Sequence, residues 1–296
     1  MKKVAIIILN YKNSKDTIEC VESLEKINYK NFNIIIVDND SKDDSVEILR
    51  NHFKDKHIIL NSGKNGGFAY GNNIGIKYAL ENGADYVLLI NNDTIVEDDF
   101  LNVLVETAEK DKGVAIATGL IMNYYDKSKI WYNGGEIDWN KFYGYHLNER
   151  ENFNVISEEK EITFATGCLM LIRKDIFKNI GFLSEEYFMY YEDVDFCAKV
   201  QNKGYKIVYN SNSKIYHKVS ASSGEEESPF AIEWNTRNRL RFYRKYKKIS
   251  KGKMKIMFPY FFYSTRILKG AKYLVHGRLD KVISMKNGLI NKAPLN

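Results

Sequence analysis

The sequence has little of what marks specialised scaffolds. It holds three cysteines, Cys20, Cys168 and Cys197, an odd number with no C-x-x-C spacing. That excludes a disulfide framework or a thiolate zinc site and favours a reducing compartment. Three prolines and 19 glycines in 296 residues exclude fibrous and low-complexity classes. No apolar run approaches the roughly 20 residues needed to cross a bilayer. The nearest, Ile256–Thr265, is ten residues without a charge and contains Pro259. At the N-terminus Lys2 and Lys3 precede Val4–Leu9, but that run is too short for a signal-peptide core. Asn10-Tyr11-Lys12 then follows without a small-residue cleavage site, so the run is expected to be a buried strand.

Acidic residues are nearly missing from the last 60 positions. Residues 237–296 carry 17 Lys/Arg and one acid, Asp280, a charge of +16 within a chain whose total is +6. The first 236 residues therefore carry −10. An acidic body with a basic tail points to a negatively charged partner for the tail.

What remains is an alternation of two signals. Short β-branched runs occur at Val4–Leu9, Asn33–Val37, His57–Leu60, Tyr86–Ile90 and Val114–Thr118. Helical segments separate them at Asp16–Ile27, Asp43–Phe53, Phe68–Glu81 and Glu97–Glu109. In the first, Ile18, Val21, Leu24 and Ile27 mark one helix face, with Ser14 as the expected cap. Apolar strands each followed by a helix predict an α/β fold, a mostly parallel sheet covered on both sides. Ligands bind such sheets beyond the carboxyl ends of the strands. Four loops deliver polar tips there: Asn10-Tyr11, Asp38-Asn39-Asp40-Ser41, Ser62–Gly67 and Asn91-Asn92-Asp93. Each alone is also ordinary turn chemistry. Residues 120–160 read as an insertion or acceptor loop. Strands are then expected at Glu161–Phe164, Cys168–Arg173 and, briefly, Lys206–Tyr209, a helix at Val194–Lys203, and a basic helix from near Trp234 through Lys247.

Three groups can carry chemistry. Asp93 at the end of an apolar strand suits a hard divalent ion shared with a diphosphate, or else caps the next helix. Glu192-Asp193-Val194-Asp195 follows the aromatic run Tyr187–Tyr191. Acids at a helix start are favoured by the dipole in any case, and a carboxylate against an aromatic wall is also how a general base is tuned. His217 is either structural or a ligand beside carboxylates. The Gly66-Gly67 loop permits close backbone approach to a ligand, but it has neither the dinucleotide nor the P-loop order.

Taken in order, these residues resemble a family 2 glycosyltransferase of the GT-A fold, in its rhamnosyltransferase-like branch. The likeness runs from about residue 3 to 245. It is carried by Val4–Tyr11, Val37–Ser41, Asn65-Gly66-Gly67-Phe68-Ala69-Tyr70-Gly71-Asn72-Asn73-x-Gly75, Asn91-Asn92-Asp93, Thr166-Gly167-Cys168, Gly181-Phe182, Phe188-x-Tyr190-x-Glu192-Asp193-x-Asp195 and Arg237-Asn238. The resemblance implies inverting transfer of a sugar, with rhamnose as the branch label, from a dTDP- or UDP-linked donor to a glycan or lipid-linked saccharide. It implies Mn²⁺ or Mg²⁺ as cofactor. Asn10, Tyr11, Asp38, Asp40, Lys64, Gly67, Asn73, Asn92 and Arg237 would bind the nucleotide-sugar. Asp93 would be the metal-binding acid, with Asn91 standing where the fuller motif has a second acid. His217 matches a late metal-binding His. Asp193 would be the general base, with Glu192 and Asp195 orienting the acceptor.

Residues 1–235 are thus expected to form the transferase domain, nucleotide-binding to about 120 and acceptor-binding from 121. Residues 236–296 would form a basic, aromatic, helical tail. That tail suits an anionic membrane surface or a second copy of the chain, with nucleic acid not expected. The implied location is cytoplasmic, peripheral on the inner face of the cell membrane. The competing readings are a catalytically silent nucleotide-sugar-binding protein and, less well matched at Asn10–Asn13, a nucleotidyltransferase.

Overall fold

The computed structural model describes residues 1–153, 157–218, 228–249 and 254–290. The chain runs β1 (Val4–Asn10), α1 (Ser14–Leu24), β2 (Phe32–Asp38), α2 (Ser45–Phe53), β3 (Ile58–Asn61), α3 (Gly67–Glu81), β4 (Tyr86–Asn91), β5 (Thr94–Val96), α4 (Phe100–Glu109) and β6 (Val114–Asn123). It continues with β7 (Ile130–Tyr132), β8 (Gly135–Asp138), β9 (Tyr143–His146), β10 (Glu159–Ile162), β11 (Leu169–Arg173), α5 (Lys174–Ile180), α6 (Glu192–Asn202) and β12 (Lys206–His217). Three helices close it: α7 (Pro229–Tyr246), α8 (Met254–Val275) and α9 (Leu279–Ile290).

One twisted sheet organises the molecule, in the order β10-β12-β6-β11-β4-β1-β2-β3, with β5 on β12 and β7 on β6. The central strands are apolar along their whole length because helices cover both faces. Their register sets the site. Parallel pairing places Asn10 opposite Asp38, Asp38 opposite Asn61, and Leu9 opposite Asn91. The polar tips read from the sequence therefore finish level along one edge.

Two departures from the sequence reading matter. An antiparallel strand, β11, inserts between β4 and β6, with Leu169 opposite Ile90. Its preceding turn, Thr166-Gly167-Cys168, is thereby delivered to that same polar edge. The strand expected at Lys206–Tyr209 is instead twelve residues long. It continues through an irregularity between Asn210 and Lys214 and ends at His217, opposite Thr94 of β5.

Smaller corrections follow local chemistry. Asn13, not Ser14, caps α1, its side chain accepting from the Asp16 amide. The expected insertion at 120–160 contains β7 and the β8–β9 hairpin, paired Gly135 to His146. The basic helix begins earlier than Trp234, at Pro229, where Ser228 accepts from the Ala231 amide. It runs unbroken across the boundary expected at 235/236. Leu240, Phe242 and Tyr246, with Phe258 and Phe262 of α8, belong to the main core. Ile232, Tyr273 and Met285 make a second small core among the last three helices.

Candidate active site

The site grows from the ends of β1, β2 and β4. Asn10 Nδ2 donates to Asp38 Oδ2 at 2.7 Å, and Ser41 donates to both Asp38 oxygens, from N at 2.9 Å and from Oγ at 2.6 Å. Thr17 Oγ1 donates to Asn10 Oδ1 at 2.8 Å, and Asn92 Nδ2 donates to Thr17 Oγ1 at 3.0 Å. This chain of bonds is fully paired, so it stiffens the edge. Asn10 and Asp38 were expected as nucleotide contacts. Both are completely buried and frame the edge from beneath. Tyr11 stands exposed beside it, with Lys12 Nζ 5.3 Å from its ring centroid. Asp40, at φ 60°, pairs with Lys42, and Lys64 lies over the Tyr70 ring.

Two further expected nucleotide contacts turn out to hold the framework together. Asn73 is buried; it donates to Leu183 O at 3.0 Å and Glu185 Oε1 at 2.8 Å and accepts from the Leu183 amide. It fixes the loop before the aromatic run onto α3. Gly67, at φ 84°, lies so close to the Phe188 carbonyl that a Cβ would collide with it, and the next amide, Phe68, donates to that carbonyl at 2.7 Å. The glycine serves backbone approach to the aromatic loop rather than to a phosphate. Arg237 stacks on Trp234, 4.3 Å from its centroid, and pairs with Glu233 at 2.5 Å. Nothing in that geometry turns it toward a diphosphate.

Asp93 and His217 come together. His217 Nε2 lies 3.1 Å from Asp93 Oδ1, both side chains being buried, because β12 extends far enough to pair with β5. Asp93 Oδ1 and His217 Nδ1 are buried without a hydrogen bond. Asp93 Oδ1 and His217 Nε2, an oxygen and a nitrogen that converge in a buried setting, fit a Mn²⁺-like ion. Among the described residues no third His, Cys, Asp or Glu joins them, so a ligand would have to complete the shell. Behind them Lys218 pairs with Asp16 at 2.6 Å and with Glu19, clamping the end of β12 to α1.

Asp193 sits at the start of α6. Its Oδ2 accepts from the Gly167 amide at 3.1 Å and its Oδ1 from the Val194 amide at 2.8 Å. Burial pushes its carboxyl above the ordinary carboxylate range, while these amides hold it back. Glu192 is buried with Oε2 unpaired, and burial first, then the neighbouring Asp193 charge, raise it well above that range. Asp195, expected to orient the acceptor, lies deeper. It is wholly buried, accepting from Tyr187 and Tyr246 hydroxyls at 3.2 and 3.0 Å, with Lys245 at 2.7 Å and Lys199 at 3.3 Å. Through Oδ1 it ties α6 to α7, while Oδ2 is buried without a hydrogen bond.

The turn into α6 is strained, with Phe188, Tyr190 and Tyr191 at φ 52°, 66° and 77°. Such residues cost about 1–3 kcal/mol each and persist only when their surroundings fix them. Here Asn238 Nδ2 points into a ring of carbonyls, 2.9 Å from those of Tyr187, Met189 and Tyr190. Phe188 stacks on Trp234 at 4.8 Å. Asn238, Gly167 and Ser41 all lie within runs quoted from the sequence, yet their roles were invisible there. Thr17 gave no signal, being one polar residue on a helix.

A level polar edge, a buried Asp–His pair and a buried carboxylate at a strained helix start make up the candidate site. The family model for glycosyl transferase family 2 matches residues 5–181. The chain belongs to that family. Its sheet, with an antiparallel strand inserted beside the parallel ones, is the GT-A architecture of its solved neighbours. As a family 2 transferase it is 26% identical over 244 residues to the low-salt glycan biosynthesis hexosyltransferase Agl10 of Haloferax volcanii, covering 80% of this chain and 74% of that one. It is 25% identical to the dTDP-rhamnosyl transferase RfbF of Shigella flexneri, over 68% of this chain and 64% of the relative. Its fold matches GalNAc-T7, solved with UDP, GalNAc and Mn²⁺, at a TM-score of 0.65 and 16% identity, over 82% of this chain. The family 2 chain spans about half, 48%, of that solved structure.

Proposed function

We propose that the protein transfers a hexosyl group, with rhamnose the leading candidate, from a dTDP- or UDP-linked donor to a hydroxyl of a lipid-linked saccharide, with inversion. Asp193 carries this reading. Its carboxylate takes the acceptor proton as the acceptor oxygen attacks the anomeric carbon, and the bond to the diphosphate breaks with its electron pair leaving on phosphate. A raised pKa makes Asp193 a better base than an ordinary aspartate, and two backbone amides fix its direction. Burial and the Asp193 charge disfavour ionisation of Glu192, so the pair's negative charge falls first on Asp193. Asp93 and His217 would hold Mn²⁺ or Mg²⁺, which when bound neutralises charge on the departing diphosphate. Tyr11, Asp40, Lys64 and Asn92 border the edge where the nucleotide would lie.

The test is Asp193→Asn. Donor-dependent transfer should fall by about 10²–10⁴-fold, the usual worth of a positioned base, while thermal stabilisation by the nucleoside diphosphate persists. Unchanged transfer overturns the assignment. Stabilisation without turnover in the wild-type chain would favour the silent, binding-only reading.

The basic helices support placement on an anionic membrane surface from the cytoplasmic side. α8 exposes Ile256, Tyr260, Tyr263, Ile267 and Leu274 at helical spacing along one face. Among the described residues no helix is long and apolar enough to cross a membrane, so this face would lie on the bilayer.

A further inference from the structure

Two arginines on α7 are neutralised, Arg237 by Glu233 and Arg241 by Glu186. Two others are not. Arg239 Nε donates to Lys141 O at 2.8 Å, and its guanidinium carbon lies 5.0 Å from the Tyr143 centroid and 5.9 Å from that of Phe262. Arg266 of α8 approaches the same Phe262 ring at 4.7 Å, and its Nε is buried without a hydrogen bond. Neither has an ion pair among the described residues. Two half-buried guanidinium groups thus share one aromatic ring, with forked donors unused and no carboxylate between them. Burial first, and then the Arg239 charge, weaken Arg266's hold on its proton. A protein rarely tolerates such a pair without an anion to bind.

The surroundings suit one kind of anion. Arg266 lines a cavity of about 210 Å³ with Asn235 and Thr236, which lie within one turn of Arg239 on α7. These supply amide and hydroxyl groups beside the two forks. The pair also neighbours the turn that leads into α6. Arg239 packs on Tyr143, and the hydroxyl of Tyr191, two residues before Asp193, donates to the Phe142 carbonyl at 3.3 Å. On the other side of Arg266 along α8 stand Tyr263 and Ile267, 45% and 72% exposed.

We propose that Arg239 and Arg266 form a phosphoryl-binding site for the acceptor, which would be a saccharide joined to a lipid through a phosphate or diphosphate. The forks hold the phosphoryl oxygens, the lipid follows the exposed face of α8, and the saccharide reaches Asp193. Arginine matches this geometry bidentately where lysine cannot. This assignment rests on the transfer reading above but concerns only the acceptor side.

Farnesyl diphosphate and inorganic pyrophosphate are the probes, titrated into the full chain with the donor site already saturated by UDP or dTDP. Wild-type protein should bind farnesyl diphosphate more tightly than pyrophosphate. The Arg239→Gln/Arg266→Gln double variant should weaken that binding at least tenfold, with nucleotide affinity unchanged and a melting temperature equal to or above wild type. Arg266→Lys, keeping charge but losing the fork, should fall between. Undiminished farnesyl diphosphate binding in the double variant overturns the site. So does equal binding of pyrophosphate, which would mark a free-phosphate site. Loss of binding to phosphatidylglycerol vesicles with farnesyl diphosphate binding intact would reassign the pair to bilayer headgroups. Asp93→Ala should show the opposite pattern, and absence of any nucleotide binding in wild type would sink the transfer reading and with it the acceptor role, a failure distinct from loss of farnesyl diphosphate binding in the double variant.

Discussion

A carboxylate used as a base must be uncomfortable as an anion, and at residue scale the Glu192-Asp193 pair is arranged for that. Glu192 has a folded-state pKa raised by burial. Its neutral form therefore favours folding at low pH, and that contribution is lost as pH rises from the unfolded-state value, about 4.5, through the folded one. Glu192→Gln cannot ionise. The wild-type melting temperature should fall relative to this variant as pH increases, with the two alike near pH 4; thermal unfolding across pH 4–9 measures it, and parallel curves would refute the assignment. Asp195 instead sits in a cluster of two lysines and two tyrosines. Asp195→Ala removes the anion and strands that cluster, at a cost of about 3 kcal/mol in chemical denaturation. Stability unchanged within about 0.5 kcal/mol would mean the cluster is solvated in solution.

At the scale of elements, the strained turn into α6 is held from two sides, and each side makes a separate prediction. Asn238→Ala leaves the carbonyls of Tyr187, Met189 and Tyr190 without their donor, costing about 1–3 kcal/mol per unsatisfied group. It should lower transfer far more than donor binding, since it loosens Asp193 and spares the nucleotide edge; a loss confined to donor affinity would contradict this. Gly67→Ala forces α3 away from Phe188 and should damage both. The main strands and helices of the first 120 residues were legible in the sequence because strands buried on both faces are uniformly apolar and the helices between them keep a 3.6-residue period. Their order was not. Nothing in Leu169–Arg173 says that it runs antiparallel between β4 and β6, since hydrophobic pattern records burial and not neighbours. The extension of β12 to His217 was hidden for a similar reason, as the polar stretch from Asn210 to Ser213 interrupts the pattern where the strand bulges.

The site was half legible. Asp93, His217 and Asp193 stood out as residue types whose chemistry is hard to use otherwise, and the fold puts Asp93 and His217 together. Asn10, Asp38, Asn73, Gly67 and Asp195 belong to the same motifs but frame, brace or approach the backbone. Asparagine, aspartate and glycine serve turns, networks and ligands with the same atoms. Only three-dimensional partners tell those uses apart.

At the scale of the molecule, the charge division between an acidic body and a +16 tail becomes spatial, because α8 and α9 stand at one side with an apolar face outward. α8 is 22 residues long, roughly 33 Å at 1.5 Å per residue. Ile256, Tyr260, Tyr263, Ile267 and Leu274 repeat along it at intervals of four, three, four and seven. Each basic group near an anionic bilayer adds about 1 kcal/mol, and each fully buried apolar side chain about 1.5–3 kcal/mol. The two contributions respond differently to salt, since only the first is screened over a Debye length of about 10 Å at 0.1 M. The chain should therefore co-sediment with vesicles containing phosphatidylglycerol and much less with pure phosphatidylcholine, weakening but not vanishing from 0.05 to 0.5 M salt. Ile267→Glu removes apolar area and adds a like charge to the lipid, and should reduce binding at least tenfold while leaving donor affinity intact. Equal vesicle binding by this variant would sink the docking face. So would a wild-type dimer in sedimentation that Ile267→Glu dissolves, since the stripe would then be covered by a second copy.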